Sequence, residues 1–225
     1  MPGHYLDTAL NRAEALVVKQ QLQQVCILRP GDTAAPLRIV AEADSRTDLT
    51  VIVMPGTDAD LTIEADLAGE NASLRIAGLY VCGASERVTV HTRVCHRVPG
   101  CRSDQIFTGI AGGEARVAFH GTIVVAPDAQ QTEAYQQSRN LLLSRQARVE
   151  TEPQLEIYAD DVKCSHGATA GSLNADEQFY MRSRGIPEAE AKVLQMLSFL
   201  SPVLEGLEDR DALAAELEQA IRSIV

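Results

Sequence analysis

The sequence predicts a mainly β protein, a parallel β-solenoid followed by a small C-terminal helical domain. Three observations predict this fold class. Apolar–polar–apolar triplets recur between residues 37 and 90 at nearly constant spacing. Hydrophobic residues make up 45% of the chain, but aromatic residues are only 4% and tryptophan is absent, which suits thin β-layers of aliphatic side chains. Past Gly171 the apolar period becomes helical.

The triplets carry the prediction of a solenoid. They are Leu37–Ile39, Leu49–Val51, Leu61–Ile63, Leu74–Ile76 and Val88–Val90. Their first residues recur at nearly even intervals, and each triplet alternates with period two, as a strand with one buried face requires. A meander of hairpins also gives short strands at this spacing. Matched chemistry at every position favours a solenoid with one triplet in each rung, so that equivalent residues form columns.

The strands continue less regularly after the triplets. Ala115–Val125 is predicted as a long strand that ends at Pro127, and residues 140–143 and 155–158 as shorter strands. Residues 6–18 carry an apolar pattern that fits a short helix. The predicted organisation is an N-terminal helical segment at 1–20, a β-helix core at 21–171 and a helical domain at 172–225.

Three helices are predicted in the tail. Asn174 or Asp176 can cap the first helix, and Gly185 can end it. Pro187 fits the start of the second and Asp209 the cap of the third. The predicted apolar stripe of the second helix is Ala189, Val193, Leu194, Leu197 and Leu200. Such a tail either caps the solenoid or docks another protein, and the sequence leaves both alternatives open.

Composition excludes several partners. The net charge is −11, with 31 acidic and 20 basic residues, so nucleic acid is an unfavourable partner. No stretch approaches the roughly 18 apolar residues that a membrane span needs, and Met1–Gln20 does not resemble a secretory signal. The five cysteines are dispersed and odd in number, which argues against a disulfide framework. We therefore expect a cytoplasmic protein.

Two segments near the C-terminal end of the predicted strands resemble a known family. Residues 158–171 read YADDVKCSHGATAG, and residues 178–186 read QFYMRSRGI. They closely resemble the C-terminal signature of the SufB/SufD family of iron–sulfur cluster assembly scaffolds. The resemblance covers roughly residues 85–205 and is most specific between 153 and 186.

The resemblance implies a right-handed parallel β-helix, a small helical domain and a role as a non-catalytic scaffold. It also implies pairing with a SufB-like subunit, or with an identical one, and binding of a SufC-like ATPase through the C-terminal helices. The only implied cofactor is a transient iron–sulfur cluster, or iron, at the subunit interface. SufB-like members carry a sulfur-accepting cysteine near the position of residues 140–143, and its absence here favours the SufD-like type. Family members are usually longer, with an additional N-terminal helical region.

The candidate interface residues are Cys164 and His166. They lie two positions apart, so on a strand both project from one face. A thiolate and an imidazole can ligate iron or a cluster edge, although a half-buried cysteine beside a hydrogen-bonded histidine would give the same pattern. The resemblance makes His166 the stronger candidate. The predicted ATPase-docking residues are Phe179, Arg182, Arg184, Gly185, Leu194 and Leu197.

A second thiolate–imidazole group is conceivable around residues 91–101. His91, Arg93 and Cys95 share one strand face, and His96 and Cys101 are close in sequence. A polar outer face over inward Val88, Val90 and Val94 explains them better. Two other functions fit a solenoid. A polymerising β-solenoid needs uncapped ends, against which the helical tail argues, and a carbohydrate-active β-helix enzyme needs clustered carboxylates and aromatic platforms that are scarce here.

Overall fold

The computed structural model describes residues 4–6 and 15–225 of the chain. In these residues the strands are β1 (His4–Leu6), β2 (Leu16–Val18), β3 (Gln21–Leu28), β4 (Leu37–Ala41), β5 (Arg46–Val53), β6 (Ala59–Leu67), β7 (Ser73–Cys82), β8 (Arg87–His96), β9 (Arg102–Ala111), β10 (Arg116–Val125), β11 (Thr132–Leu142), β12 (Arg148–Ile157) and β13 (Val162–Gly171). The helices are α1 (Ala175–Ser183), α2 (Glu188–Leu204) and α3 (Arg210–Arg222).

The strands form two parallel sheets that face each other. The odd-numbered strands make a seven-stranded sheet in the order β1-β3-β5-β7-β9-β11-β13, and the even-numbered strands make a six-stranded sheet from β2 to β12. The chain therefore alternates between the sheets, and one strand from each sheet makes one rung. Every strand pair is parallel, so the predicted β-solenoid fold is confirmed.

The repeat of the solenoid is twice the spacing of the sequence triplets. Leu37 pairs in register with Ile63, and Leu49 pairs with Ile76, so each pairing skips the triplet that lies between. The prediction of one triplet in each rung is therefore wrong, because the chain runs along one sheet and returns along the other before it reaches the next rung. Both sheets turn an apolar row toward the shared interior, so their triplets look alike in sequence.

The predicted N-terminal helix lies mostly outside the described residues. Of the residues assigned to it, Leu6 ends β1 and Leu16–Val18 form β2, so these are strand and not helix. The reason is local pairing, since Leu16 pairs with Ile39 of β4 and thereby extends the six-stranded sheet. The boundary of a separate N-terminal segment at residue 20 stays a prediction.

Two strands were harder to predict than the triplets. The strand predicted at residues 140–143 is the end of the longer β11, and β9 is not predicted by the apolar pattern at all. Their inward-facing rows contain polar residues, among them Gln105, Gln136 and Asn140. Alternation of apolar and polar residues therefore does not identify a strand whose inward-facing row, like its outward-facing row, contains polar residues.

Two glycines admit large side chains into the interior. The ring of Phe107 packs against Gly78, in space that a Cβ at this position would occupy. The ring of Tyr80 crosses Gly109 in the same way, and its hydroxyl donates to the side-chain oxygen of Asn140. These close approaches fill the interior between sheets despite the low aromatic content of the chain.

The C-terminal helices cover the side of the solenoid. Asn174 caps α1 by accepting hydrogen bonds from Asp176 and Glu177, and Gly185 follows the helix with a φ of +87°. Helices α2 and α3 pack on the outer face of the seven-stranded sheet, where they meet apolar residues such as Leu79 and Ile110. The tail therefore lies along a sheet and does not cover β12 and β13.

The predicted stripe of α2 is partly wrong. Val193 and Leu200 are buried, but Ala189 and Leu194 are exposed. The buried face is formed by Ala191, Val193, Met196, Leu200, Val203 and Leu204. This face meets both α3 and the sheet, which rotates the buried surface away from Leu194. No helix among the described residues has the length and apolar character needed to cross a membrane.

Candidate functional site: the open end of the solenoid

The last rung, made of β12 and β13, is the open end of the solenoid. Each of these strands has one neighbour in its sheet, β10 and β11 respectively. The inner row of β10 is buried, whereas the residues paired with it on β12 are half-buried or, at Ile157, exposed. All residues of β13 except Val162 and Cys164 are exposed. An edge strand of this length presents free backbone donors and acceptors, together with an incompletely covered interior.

Cys164 and His166 lie on the inner row of β13. This row is defined by register with five buried residues of β11, namely Thr132, Ala134, Gln136, Ser138 and Asn140. The paired residues on β13 are Val162, Cys164, His166, Ala168 and Ala170. The two candidate side chains therefore share a face and project over the uncovered interior at the open end.

Their environments differ. Cys164 is half-buried against a small cluster that includes Ile123 and Ala134. Burial raises the pKa of its thiol, and a hydrogen bond from the Ala134 backbone lowers it less. The thiol is therefore protonated at neutral pH and a weak nucleophile as it stands. His166 is exposed. Of the two, the imidazole is the more accessible ligand.

The open end holds an incomplete set of ligands. Within residues 15–225, no three His, Cys, Asp or Glu side chains come together in a way that could hold a metal ion. Cys164 and His166 supply at most two donors, whereas tetrahedral zinc and cluster iron sites use four. A metal at this end would therefore need donors besides these two side chains.

The second predicted group, around residues 91–101, is dispersed. His91 and Arg93 are exposed on the outer row of β8, as the polar outer face requires, while Val88, Val90 and Val94 point inward. Cys95 is on that outer row but buried, and Cys101 lies in the core between the sheets. His96 is buried and hydrogen-bonds Ser103 through Nε2, at 2.8 Å. Burial lowers the pKa of His96 to about 4, so its ring is neutral.

An apolar groove lies between α1 and α2. Its volume is about 660 Å³, and its lining residues are Asp176, Glu177, Tyr180, Met181, Leu194, Gln195, Ser198 and Phe199. Phe179 is 73% exposed, Tyr180 60% and Leu194 41%. Helix α1 buries none of its residues, so its aromatic side chains project outward. Of the predicted docking residues only Leu194 lines this groove, while Phe179 is exposed beside it; Tyr180, Met181 and Phe199 of its wall were not predicted.

The remaining predicted docking residues lie around this groove. The Arg182 guanidinium is 3.6 Å from the carboxylate of Glu188, and the Arg184 guanidinium lies 5.3 Å from the centre of the Tyr180 ring. Gly185 forms the turn to α2. Leu197 is half-buried and packs with the helix–sheet cluster, so it contributes to the fold as well as to the surface.

The sequence is similar to a known protein family and to several of its members. Residues 33–199 match the family model described as SUF system FeS cluster assembly, SufBD core domain. The chain is 41% identical over 143 residues to the iron-sulfur cluster assembly protein SufD of Escherichia coli, which covers 64% of this chain and 34% of that protein.

Other relatives agree. A SufBD family protein of Synechocystis is 42% identical over 138 residues, covering 61% of this chain and 30% of that protein. One of Mycobacterium tuberculosis is 28% identical over 183 residues, covering 76% and 46%. The chain thus spans between about a third and a half of the length of these relatives. Since the family model covers most of the chain, the protein belongs to the SufBD core family of iron–sulfur cluster assembly proteins and is SufD-like.

Proposed function

We propose that the protein is a SufD-like scaffold subunit, without catalytic activity of its own, on which iron–sulfur clusters are assembled between two subunits. The observation that carries this proposal is the open end, where an uncovered edge strand presents Cys164 and His166 side by side. The membership of the chain in the SufBD core family supports it.

Pairing through the open end follows from the physics of sheet edges. The unpaired backbone groups of β13 and the half-buried inner row of β12 both gain partners when a second solenoid stacks on them. The partner is a SufB-like subunit or a second copy of this chain. Stacking would turn the exposed inner row, including His166, into an interior row.

The cargo is a nascent cluster or iron, held transiently at this interface. The exposed imidazole of His166 is the primary ligand from this chain, since the raised pKa of Cys164 makes its thiolate costly to form. The second subunit supplies the remaining donors, because the described residues of this chain offer at most two.

A SufC-like ATPase docks on the groove between α1 and α2. Exposed Phe179, Tyr180 and Leu194 supply an apolar surface of the kind that protein interfaces bury at their centres. Arg182 and Arg184 lie at its rim. Helices α2 and α3 are packed on the seven-stranded sheet, so a movement of the docked ATPase would be transmitted to the solenoid.

One reconstitution tests both parts of the proposal, using the protein with its SufB-like and SufC-like partners. His166→Ala should lower the yield of assembled cluster at least about tenfold while leaving folding intact, because the residue is exposed and acts as a ligand. The control is His91→Ala, which removes another exposed imidazole, on the outer row of β8 and not on the inner row at the open end. Equal cluster yields in the two variants would exclude a role for His166.

The proposed ATPase-docking site is tested by co-purification of the same proteins. Leu194→Asp should abolish co-purification of the ATPase, since it places a charge in the apolar groove. Val17→Asp is the control, since Val17 is 54% exposed and lies at the opposite end of the solenoid. Retention of the ATPase by the Leu194 variant would contradict docking at this groove.

A further inference from the structure

A column of amide side chains lies directly beneath His166. In the seven-stranded sheet, Gln105 of β9 pairs in register with Gln136 of β11, and Gln136 pairs with His166 of β13. All three belong to the inner rows of their strands. Strands in a sheet are about 4.8 Å apart, so successive members of the column are direct neighbours.

Both amides are buried and have no hydrogen-bond partner. Gln105 is 0% exposed and Gln136 is 1% exposed, and no protein atom hydrogen-bonds the nitrogen or the oxygen of either side chain. A buried polar group without a partner destabilises a protein, typically by about 1–3 kcal/mol each. Several buried hydroxyls, such as that of Thr47, also lack a partner in the protein, but Gln105 and Gln136 leave four polar atoms unpaired at adjacent positions, which calls for an explanation.

The surroundings direct the Gln136 amide across the interior. A Cβ placed on Gly121 of β10 would overlap Nε2 of Gln136, so the amide occupies the space beside this glycine. Thr92, which pairs with Gly121 one rung below, is also buried with an unpartnered hydroxyl. These residues and Gln105 form a polar column.

The column is closed at one end and open at the other. Below it, Ile63 pairs with Thr92 and Ile76 pairs with Gln105, and both isoleucines are buried. Among the described residues, only the last rung lies above Gln136, and its His166 is exposed. The polar column is therefore bounded by apolar side chains below and has His166 as its neighbour on the side of the open end.

We propose that Gln136 is the positioning residue of His166, its amide hydrogen-bonding one ring nitrogen directly or through a single water molecule. The opposite ring nitrogen then faces outward, toward the cargo. Gln105 lies one position further from His166 in the same column and makes no contact with its ring. The inference rests on the proposed role of His166 as a ligand. Histidine ligands commonly use their second nitrogen in this way, and the contact fixes which nitrogen carries the proton.

The test is the tautomer of the His166 ring, measured by nitrogen NMR on the whole chain at about pH 8.5, where an ordinary imidazole is neutral. Gln136→Met removes the amide but keeps the length of the side chain. It should change the ratio of the two tautomers about threefold to tenfold, the equivalent of one hydrogen bond. Gln105→Met is the matched control, one rung further from His166, and should leave the ratio within about twofold of the parent.

A second variant guards against failure of the first to fold. Gly121→Ala keeps every polar atom but displaces the Gln136 amide, so it should shift the tautomer ratio in the same direction as Gln136→Met. An unchanged ratio in both of these variants, or an equal change in Gln105→Met, would overturn the proposal. The reconstitution with His166→Ala is a separate measurement. If the tautomer responds to Gln136 but cluster yield does not respond to His166, the positioning contact stands and the proposed function fails.

Discussion

The middle and last rungs of the solenoid have the same architecture but differ in what lies above them. Ile123 of β10 and Leu155 of β12 occupy the same inner column, in register with each other. Ile123 is fully buried because β12 and β13 cover it, whereas Leu155 is half-buried because none of the described residues covers it. Burial in this fold therefore depends on the neighbouring rung. The last rung exposes apolar and ligand-forming side chains that any earlier rung would bury.

A second difference lies in the chemistry of the inner rows. The column that contains Gln105, Gln136 and His166 has the polar Gln24 at β3 and is aliphatic in the next two strands of the sheet, at Leu49 and Ile76. From β5 onward the column thus changes from apolar to polar on approaching the open end. The chemistry proposed for the protein therefore resides in the later rungs.

The largest expected effect on stability concerns Ile123 and Leu155, which lie in register in one inner column. Ile123→Ala should lower the free energy of unfolding by about 2–5 kcal/mol, because it leaves a cavity in a covered rung. Leu155→Ala should lower it by about 1 kcal/mol or less, because the side chain is already half in solvent. Urea unfolding of the two variants measures both values. Equal losses would mean that the last rung is covered in solution.

A smaller effect concerns a turn in the middle rungs. The carboxylate of Glu86 accepts hydrogen bonds from the backbone nitrogens of Gly56, at 2.9 Å, Gly83, at 3.1 Å, and Ala84, at 2.7 Å. It thereby joins turns of two successive rungs. The register equivalent one rung above is Ala115, which has no carboxylate. Glu86→Gln should lower the free energy of unfolding at pH 7 by about 1–2 kcal/mol.

The same variant has a defined pH dependence. Burial acts to raise the pKa of Glu86, but the backbone donors together outweigh it and hold the pKa below its ordinary value of 4.5. The stabilisation by the carboxylate is therefore present above about pH 4.5 and is lost as the pH falls through the lower folded-state pKa. The stability difference between parent and variant should narrow as the pH drops below 4.5. A difference that stays constant well into the acid range would contradict this assignment.

The early rungs could be predicted from the sequence, whereas the number of strands in a rung could not. Alternation in a triplet such as Leu61–Ile63 is a local property, so it identifies each strand by itself. Which sheet a strand joins is decided by pairing with the next strand but one along the chain, and both sheets carry the same local pattern. Strand β9 and most of β11 could not be recognised in the sequence, because their inner rows contain polar residues and the apolar alternation is lost.

The candidate site was predictable in part. The spacing of Cys164 and His166 predicts that they lie on one face of a strand, and in β13 they do lie on one face. Their position at an open end could not be foreseen, because it depends on where α2 and α3 pack. Gln136 was missed, although Gln105, Gln136 and His166 follow one another at nearly equal intervals that match the true repeat in this part of the solenoid.

The central claim is that the open end is a pairing surface, and sedimentation velocity with the SufB-like subunit or with the chain alone tests it most directly. Ala168→Glu places a charge on the exposed inner row of β13 and should weaken pairing more than about thirtyfold, since an unpaired buried charge costs at least about 2 kcal/mol. Ala212→Glu, the same change at an exposed site on α3, should leave a discrete two-subunit complex. Undiminished pairing of the Ala168 variant, or filaments in place of a two-subunit complex, would contradict the account.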